Sequence, residues 1–211
     1  AAVDIVNGSS FDNNLPCIAE KECFVFDSVA DELIKNMTQN GAYLIKGDLI
    51  DKLLKVALIE KDGKYVINKK WVGKDASKFL KELGIDADPR LIICETSENH
   101  PFVQTEMMMP ILPIVRVSNI EEAIDMAVKA EHGCRHSAHI HSKNVDRLTA
   151  FARAVETTIF VKNAPSYAGI GAGGEGYTTF TIAGPTGEGL TAAHSFTRYR
   201  RCVMADGLHI V

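Results

Sequence analysis

The chain has 211 residues, of which 46% are hydrophobic and 24% are charged, and its formal net charge at pH 7 is -4. This is the composition of an ordinary globular domain and argues against intrinsic disorder. The mild acidity argues against a nucleic-acid or anionic-membrane partner, and the longest apolar run, residues 107–115, falls short of the roughly 20 residues of a membrane span.

Hydrophobic periodicity and cap residues predict strands that alternate with helices along the chain. The predicted strands cover residues 22–27, 91–94, 110–117, 136–141 and 157–161. The predicted helices cover residues 30–40, 48–60, 75–83, 119–132 and 145–155. This alternation predicts an α/β fold with a largely parallel sheet flanked by helices, in a single domain over residues 1–211.

Local signals refine these elements. Ser28 with Asp31, and Ser118 with Glu121, form capping-box patterns at two helix starts. The turn after residues 48–60 is an Asp-Gly pair. Prolines within residues 110–117 predict that this strand lies at a sheet edge or a bend.

A Gly-, Thr- and Ala-rich stretch, residues 163–191, shows little helical periodicity and predicts a functional loop region. Within it, Gly169–Gly174 matches G-x-G-x-x-G. A dinucleotide-binding loop requires a helix at this point, and the residues that follow are poor helix formers. A mobile or close-packed glycine loop is therefore the preferred interpretation.

Five cysteines are scattered through the chain without C-x-x-C spacing: Cys17, Cys23, Cys94, Cys134 and Cys202. This arrangement predicts neither a disulfide framework nor a zinc ribbon and is typical of a reducing compartment. The chain starts without a signal-peptide pattern and without an initiator methionine, so we expect further residues before Ala1.

Three histidines, His136, His139 and His141, lie close together in a strand-like run. Because side chains alternate across a strand, His139 and His141 are expected on one face and His136 on the other. No acidic residue completes a ligand set within this run, so we expect packed or solvent-facing histidines and no metal. His136 follows Gly133 at a helix-to-strand corner, a common place for functional side chains.

Cys17 stands in the segment FDNNLPCIAEKE, directly after turn-forming residues and a proline. This context predicts an exposed loop position, which suits a thiol nucleophile. The alternative is a small buried hydrophobe, the usual role of a lone cysteine. Spacing alone leaves both interpretations open.

The segment FDNNLPCIAEKE resembles the nucleophile segment of CoA-acylating aldehyde dehydrogenases, in particular the propionaldehyde and acetaldehyde dehydrogenases of bacterial microcompartments. Three later segments agree in order: TEMMMPILPIVRV, EHGCRHSAHIHSKNVDRLT and GGEGYTTFTIAGPTGEGLTAAHSFTRYRRC. The resemblance covers essentially the whole chain. It implies an aldehyde dehydrogenase-like catalytic domain, and it implies that the amino-terminal NAD-binding domain is absent from this sequence.

The resemblance also implies site residues. Cys17 would be the nucleophile, and Glu106 with Pro110 would contact the nicotinamide ribose, with Met109 standing where the family pattern has glycine. His136 is the candidate base for the thiol of CoA, because the family's active-site loop runs through GCRHSA. Its neighbour Arg135 is a candidate contact for a CoA phosphate.

The implied reaction converts a short-chain aldehyde to acyl-CoA with NAD and CoA. The run TTFTIAG offers small and apolar side chains for the aldehyde, with Thr179, Phe180 and Ile182 as candidate pocket residues. The resemblance further implies a homo-oligomer in the bacterial cytoplasm, inside a microcompartment and in possible contact with its shell. Two alternatives remain open: a non-catalytic scaffold or oligomerisation fragment, and a cysteine thioesterase or esterase that works without NAD.

Overall fold

The computed structural model describes residues 1–174, 176–184, 189–203 and 205–207. Helices α1 to α7 cover Ala2–Ser10, Asp27–Gln39, Asp48–Ala57, Ala76–Glu82, Pro101–Gln104, Ile120–Ala130 and Val145–Val155. Strands β1 to β10 cover Cys23–Phe26, Ala42–Ile45, Leu58–Lys61, Lys64–Ile67, Leu91–Glu95, Ile111–Val117, Ser137–Ile140, Ile159–Lys162, Ile182–Ala183 and Gly189–Leu190. Three short 3-10 segments cover Phe11–Asn14, Ser166–Ile170 and Ala193–Phe196.

A four-stranded, fully parallel sheet forms the centre of the fold, with the strand order β1-β6-β5-β2. Residues 91–94 of β5 are buried without interruption, as expected for a parallel strand covered on both faces. Alternate residues serve two separate cores: Ile92 packs with Phe79 and Phe102 on one face, and Ile93 packs with Met37 on the other. The predicted α/β fold with a largely parallel sheet is confirmed.

Three two-stranded units surround this sheet. The β7–β8 pair is parallel, whereas β3–β4 and β9–β10 are antiparallel. In β8, Ile159 and Val161 pack against Ile18, next to Cys17, and against Ile170 of the second 3-10 segment. The nucleophile candidate therefore lies where the loop after α1 meets the β7–β8 unit. No helix in the described part of the chain has the length and apolar character needed to cross a bilayer.

The hairpin β3–β4 corrects the predicted helix over 48–60. This helix ends at Ala57, and the next residues enter β3 and pair with β4. Asp62 and Gly63 both have positive φ, 52° and 73°, which is the backbone of the tight turns that join antiparallel strands. Cross-strand pairing thus overrides the helical periodicity of the last few residues.

Strand β6 is central in the sheet. Of the two positions that its prolines predicted, the sheet edge is therefore wrong, and the bend stays a prediction. Pro113 faces Cys94 of β5 in the register, while β1 pairs with the other side of β6. The carbonyl oxygens of Pro110 and Ile114 accept from the N–H groups of Ile92 and Thr96 on the β5 side, each at 2.9 Å, so by alternation the backbone groups of Pro113 point towards β1. Pairing with β1 begins one residue later, at Ile114 with Cys23, so the missing N–H of Pro113 interrupts neither ladder.

Two helix starts also differ in their caps. No side chain caps α2, whose N-cap is Phe26. In α6 the capping residue is Asn119, whose side chain accepts from the N–H of Glu122 at 2.8 Å. The carboxylate of Glu122 in turn accepts from the N–H of Ser118 at 2.6 Å. The capping pair is therefore displaced by one residue from the predicted Ser118 and Glu121.

The glycine-rich motif forms a close-packed turn. Gly169 lies in the second 3-10 segment, where an added Cβ would stand 2.5 Å from Cγ2 of Ile159. Gly171 has a φ of +88°, and a Cβ there would stand 2.5 Å from the carbonyl oxygen of Tyr177. These contacts favour the close-packed interpretation of the motif, because only glycine fits such approaches.

Candidate active site

A cavity of about 960 Å³ brings together residues that are far apart in the sequence. Cys17 from the loop after α1, Glu106 from the α5–β6 connection and His136 from the start of β7 all line it. Its size is that of a small-molecule site. Three of the predicted site residues therefore line the same cavity.

The Cys17 loop is shaped by the Asp-Asn-Asn sequence before it. Asp12, Asn13 and Asn14 all have positive φ, at 46°, 53° and 64°, a backbone region that Asn and Asp tolerate better than most residues. The buried amide of Asn14 donates to the carbonyl oxygens of Ser9 at 2.9 Å and Glu20 at 3.0 Å. One side chain thus closes both ends of the loop and holds Cys17 outward, exposed to solvent.

The thiol of Cys17 has a raised pKa in this environment. Partial burial is the main cause, the negative charge of Glu106 adds to it, and the backbone N–H of Cys17 opposes both. Burial in β1 raises the pKa of Cys23 to about 12, with Glu20 and Glu22 adding to the effect. Cys17 is therefore the accessible thiol of this segment, and Cys23 is an inert strand residue.

Glu106 is exposed, and its carboxylate acts on Cys17 through its charge. Met108, and not Met109, takes the left-handed backbone in this connection, with a φ of 54°. Met109 is fully buried in the core and does not have a positive φ, so its backbone does not require the glycine of the family pattern. Pro110 is also buried; its carbonyl accepts from the N–H of Ile92 at 2.9 Å, and it does not line the cavity.

The His136 loop is anchored at both ends. The backbone N–H of His136 donates to Oε1 of Glu131 at 3.1 Å, and the ring Nδ1 lies 3.1 Å from Oγ of Ser137. This contact leaves Nε2 available to a substrate in the cavity. The ammonium of Lys21 donates to the carbonyl oxygen of Ala130 at 2.7 Å, which ties this loop to the segment that follows Cys17.

Arg135 already has a carboxylate partner. Its guanidinium lies 3.2 Å from Oε2 of Glu156, both side chains being exposed. Its carbonyl oxygen accepts from the N–H of Thr158 at 2.9 Å. Contact with a CoA phosphate stays a prediction, and it would compete with this surface ion pair.

The candidate aldehyde-pocket residues lie apart from the cavity. Phe180 is 65% exposed, and the N–H of Thr179 donates to the carbonyl oxygen of Ile170 at 3.1 Å. Ile182 packs in the apolar cluster that contains Ile18. Of the three, Ile182 is thus linked by packing to the back of the nucleophile loop.

His136, His139 and His141 all line the cavity, as do the residues of β7 between them. The predicted placement of His136 on the opposite face from His139 and His141 therefore stays a prediction. The pKa of His139 is lowered to about 4, chiefly by burial and in smaller part by the neighbouring imidazoles of His141 and His136. Across the described ranges, no group of three or more His, Cys, Asp or Glu side chains is arranged to hold a metal ion.

The sequence did not single out the polar residues that support this site. Asn14 was recognised only as part of a turn. Glu20 entered no prediction, and Glu22 entered only as the first residue of the predicted strand over 22–27. Burial raises the pKa of each carboxyl to about 7. In Glu22 the charge of Lys21 opposes this rise and that of Glu131 supports it.

An exposed thiol on a loop clamped at both ends, with a carboxylate and an imidazole in the same cavity, is an arrangement that suits a cysteine nucleophile. The family model described as "Aldehyde dehydrogenase family" matches residues 1–198. The chain belongs to this family.

Relatives extend this assignment. Over the whole chain it is 50% identical to "Acetaldehyde dehydrogenase (acetylating) EutE" of Salmonella typhimurium, of which it covers 46%. It superposes with a TM-score of 0.90 on Rhodopseudomonas palustris propionaldehyde dehydrogenase with bound propionyl-CoA, at 55% identity over 96% of this chain and 45% of that chain. A second structure of that enzyme holds CoA and an acylated cysteine.

A propionaldehyde dehydrogenase from the Clostridium phytofermentans fucose utilisation bacterial microcompartment is similar to the same degree, with a TM-score of 0.90. It is 53% identical over 98% of this chain and 47% of that chain. The chain therefore spans about half the length of the relatives that it matches.

Proposed function

We propose that residues 1–211 form the nucleophile-bearing catalytic domain of an enzyme that oxidises a short-chain aldehyde, propionaldehyde or acetaldehyde, to acyl-CoA with NAD and CoA. The observation that carries this proposal is the convergence of Cys17, Glu106 and His136 on one cavity. The similarity to a propionaldehyde dehydrogenase whose structure holds an acylated cysteine supports it.

The first step is attack by the thiolate of Cys17 on the aldehyde carbon. The thiol loses its proton, a C–S bond forms, and the carbonyl oxygen becomes the oxyanion of a thiohemiacetal. Such a charge needs fixed N–H donors. The backbone N–H of Cys17 already favours negative charge at this position, because it lowers the pKa of the thiol.

The second step breaks the C–H bond of the thiohemiacetal, and hydride leaves with the bonding electron pair. Bound NAD supplies the hydride acceptor. Among the residues of this chain, Glu106 fits the nucleotide, because an exposed carboxylate in the cavity of Cys17 can accept hydrogen bonds from ribose hydroxyl groups. The product on the chain is a thioester of Cys17.

The third step transfers the acyl group to CoA. The thiol of CoA loses its proton, attacks the thioester carbonyl, and displaces Cys17 as a thiolate. His136 is the proposed base, since imidazole ionises near neutral pH and its ring lines the cavity. The sum is aldehyde, CoA and NAD⁺ converted to acyl-CoA, NADH and a proton.

The full-length polypeptide that carries this chain should form NADH and propionyl-CoA in equal amounts from propionaldehyde, NAD⁺ and CoA. Chromatography with mass detection measures the acyl-CoA, and absorbance at the NADH band measures the reduced cofactor. Free propionate without NADH would establish the hydrolytic alternative. An unreactive Cys17 and no product would establish the scaffold alternative.

The same proposal covers partners and location. The similarity to a microcompartment enzyme supports a location within a microcompartment of the bacterial cytoplasm. A homo-oligomer and contact with the shell are further parts of the proposal. Size-exclusion chromatography with light scattering measures the oligomer, and co-purification with shell proteins measures the association.

Replacement of Glu106 by Gln should have two opposite effects. Removing the negative charge lowers the pKa of Cys17, so alkylation of Cys17 by iodoacetamide at pH 7.5 should become roughly two- to fivefold faster, since one pKa unit is a tenfold change in thiolate. At the same time the KM for NAD should rise, because a ribose contact is weakened. Unchanged alkylation together with an unchanged KM would exclude the proposed role of Glu106.

A further inference from the structure

A buried carboxyl group, that of Glu20, lies three residues after Cys17 and takes no part in the steps above. Glu20 is only 7% exposed. It packs against the end of α1 so closely that an added Cβ on Gly8 would stand 2.4 Å from its Oε2 and 2.6 Å from Oγ of Ser166. Ser9 and Ser166 are themselves almost fully buried. The carboxyl is thus enclosed between α1 and the second 3-10 segment.

The groups that face Glu20 carry no positive charge in the described part of the chain. Helix α1 presents Gly8 and Ser9, the 3-10 segment presents Ser166, and β1 presents the thiol of Cys23. Neither serine hydroxyl group nor either carboxyl oxygen finds a partner with good hydrogen-bond geometry there. An ionised Glu20 would have no counter-charge.

The nearest cation along the chain is engaged elsewhere. Lys21 donates to the carbonyl oxygen of Ala130 at 2.7 Å and lies 3.6 Å from Oε2 of Glu22. Burial therefore dominates at Glu20 and raises its pKa to about 7, against the opposing effects of the backbone and of Ser166 and Ser9. Ionisation of Glu20 falls in the neutral range.

Glu20 is connected to the nucleophile through the loop clamp. The amide of Asn14 donates to the carbonyl oxygens of Glu20 and Ser9, at 3.0 and 2.9 Å. One acceptor belongs to Glu20 itself and the other to Ser9, which faces its carboxyl. Cys17 lies between Asn14 and Glu20, so a shift of Glu20 moves one end of the segment that carries the thiol.

We propose that Glu20 is a positioning residue for the nucleophile: its carboxyl, seated against Gly8 and Ser166, fixes the end of the Cys17 loop. It does so in its uncharged form, because a buried charge without a partner is strongly unfavourable. The loop thereby becomes sensitive to pH near neutrality. In treating Cys17 as the nucleophile, this inference rests on the proposed function.

The test compares Glu20→Gln with Glu22→Gln. Both residues have a raised pKa of about 7, but only Glu20 packs against Gly8 and Ser166. The rate of Cys17 alkylation by iodoacetamide is measured by peptide mass between pH 5.5 and 9, in the full-length polypeptide. The alkylation rate of Glu20→Gln divided by that of the wild type should change at least about threefold with pH, with a midpoint near pH 7, because Gln stays uncharged while Glu ionises. The alkylation rate of Glu22→Gln divided by that of the wild type should not change with pH.

A second variant, Ser166→Ala, leaves the carboxyl in place and carries the test if Glu20→Gln does not fold. The hydroxyl of Ser166 favours ionised Glu20, so its removal should move the midpoint to higher pH. In turnover, the same step should appear in kcat, with the KM for aldehyde unchanged. A role in folding alone would not produce a step with this midpoint.

Two results would overturn the positioning role: superimposable profiles for Glu20→Gln and wild type, or the same change in Glu22→Gln. The alkylation assay needs neither NAD nor CoA. A step in alkylation without acyl-CoA formation would therefore refute the proposed function and support the positioning role. Acyl-CoA formation together with superimposable alkylation profiles would support the proposed function and refute the positioning role.

Discussion

Cys17→Ala should abolish acyl-CoA formation by the full-length polypeptide, reducing kcat to the level of the assay background. Alanine cannot form the thiohemiacetal or the thioester, so no covalent route remains. Because Cys17 is exposed on its loop, the change leaves no cavity in a packed core, and the stability of the fold should change by less than about 1 kcal/mol. Kinetics and a denaturant titration measure the two effects.

Cys23→Ala is the matched control. This thiol lies six positions further on, and burial raises its pKa to about 12, so it is un-ionised at neutral pH. The variant should retain most of the turnover and lose some stability, because Cys23 packs at the edge of a core cluster. Equal loss of turnover in both variants, with equal destabilisation, would show that Cys17 matters for folding and not as a nucleophile.

His136→Ala should slow deacylation far more than acylation and hydride transfer. General-base help is worth about 10²–10⁴-fold, and in its absence the acyl-enzyme should accumulate on Cys17. Intact mass after mixing the variant with aldehyde and NAD⁺ detects this species, and rapid-mixing absorbance follows the NADH burst. The defect should shrink at high pH, where the thiol of CoA, with a reference pKa of about 8.5, ionises unaided.

His132→Ala provides the comparison for this experiment. Its ring also lines the cavity, but Nε2 of His132 lies 3.3 Å from the backbone oxygen of Gln104. The ratio of the two half-reaction rates should therefore stay as in the wild type. Equal slowing of both half-reactions in His136→Ala, or a change below a few-fold, would assign His136 to pocket shape and not to proton transfer.

Local sequence signals were sufficient for much of the fold. Helix α7 covers Val145–Val155 as predicted, because Asn144 accepts a hydrogen bond from Arg147 and fixes its start. Strand β5 was recognisable as a continuous apolar run. Local sequence signals gave the wrong prediction where pairing between strands decides the structure. Residues 58–61 join a hairpin despite helical periodicity, and Pro113 sits in a central strand because each parallel neighbour uses different residues.

For the site as for the fold, local sequence predicts some features and tertiary contacts decide the others. The turn residues before Cys17 predicted its exposure from local chemistry alone. The meeting of Cys17 with Glu106 and His136 is a tertiary event, which only the resemblance to a family anticipated. Glu20 was missed for a physical reason: among charged neighbours it looks solvent-facing, and only the close approach of Gly8, which the sequence does not announce, encloses it.

The hydrogen bond from Lys21 to the carbonyl oxygen of Ala130 bears on how this scaffold can be re-engineered. It joins the segment after Cys17 to the loop before His136 across 109 positions of sequence, and its acceptor is a main-chain atom. A foreign loop grafted over residues 131–136 can therefore vary in sequence without losing this anchor, provided that residue 130 stays small enough for its buried position. Lys21, by contrast, has to be retained in any segment that replaces the one around Cys17.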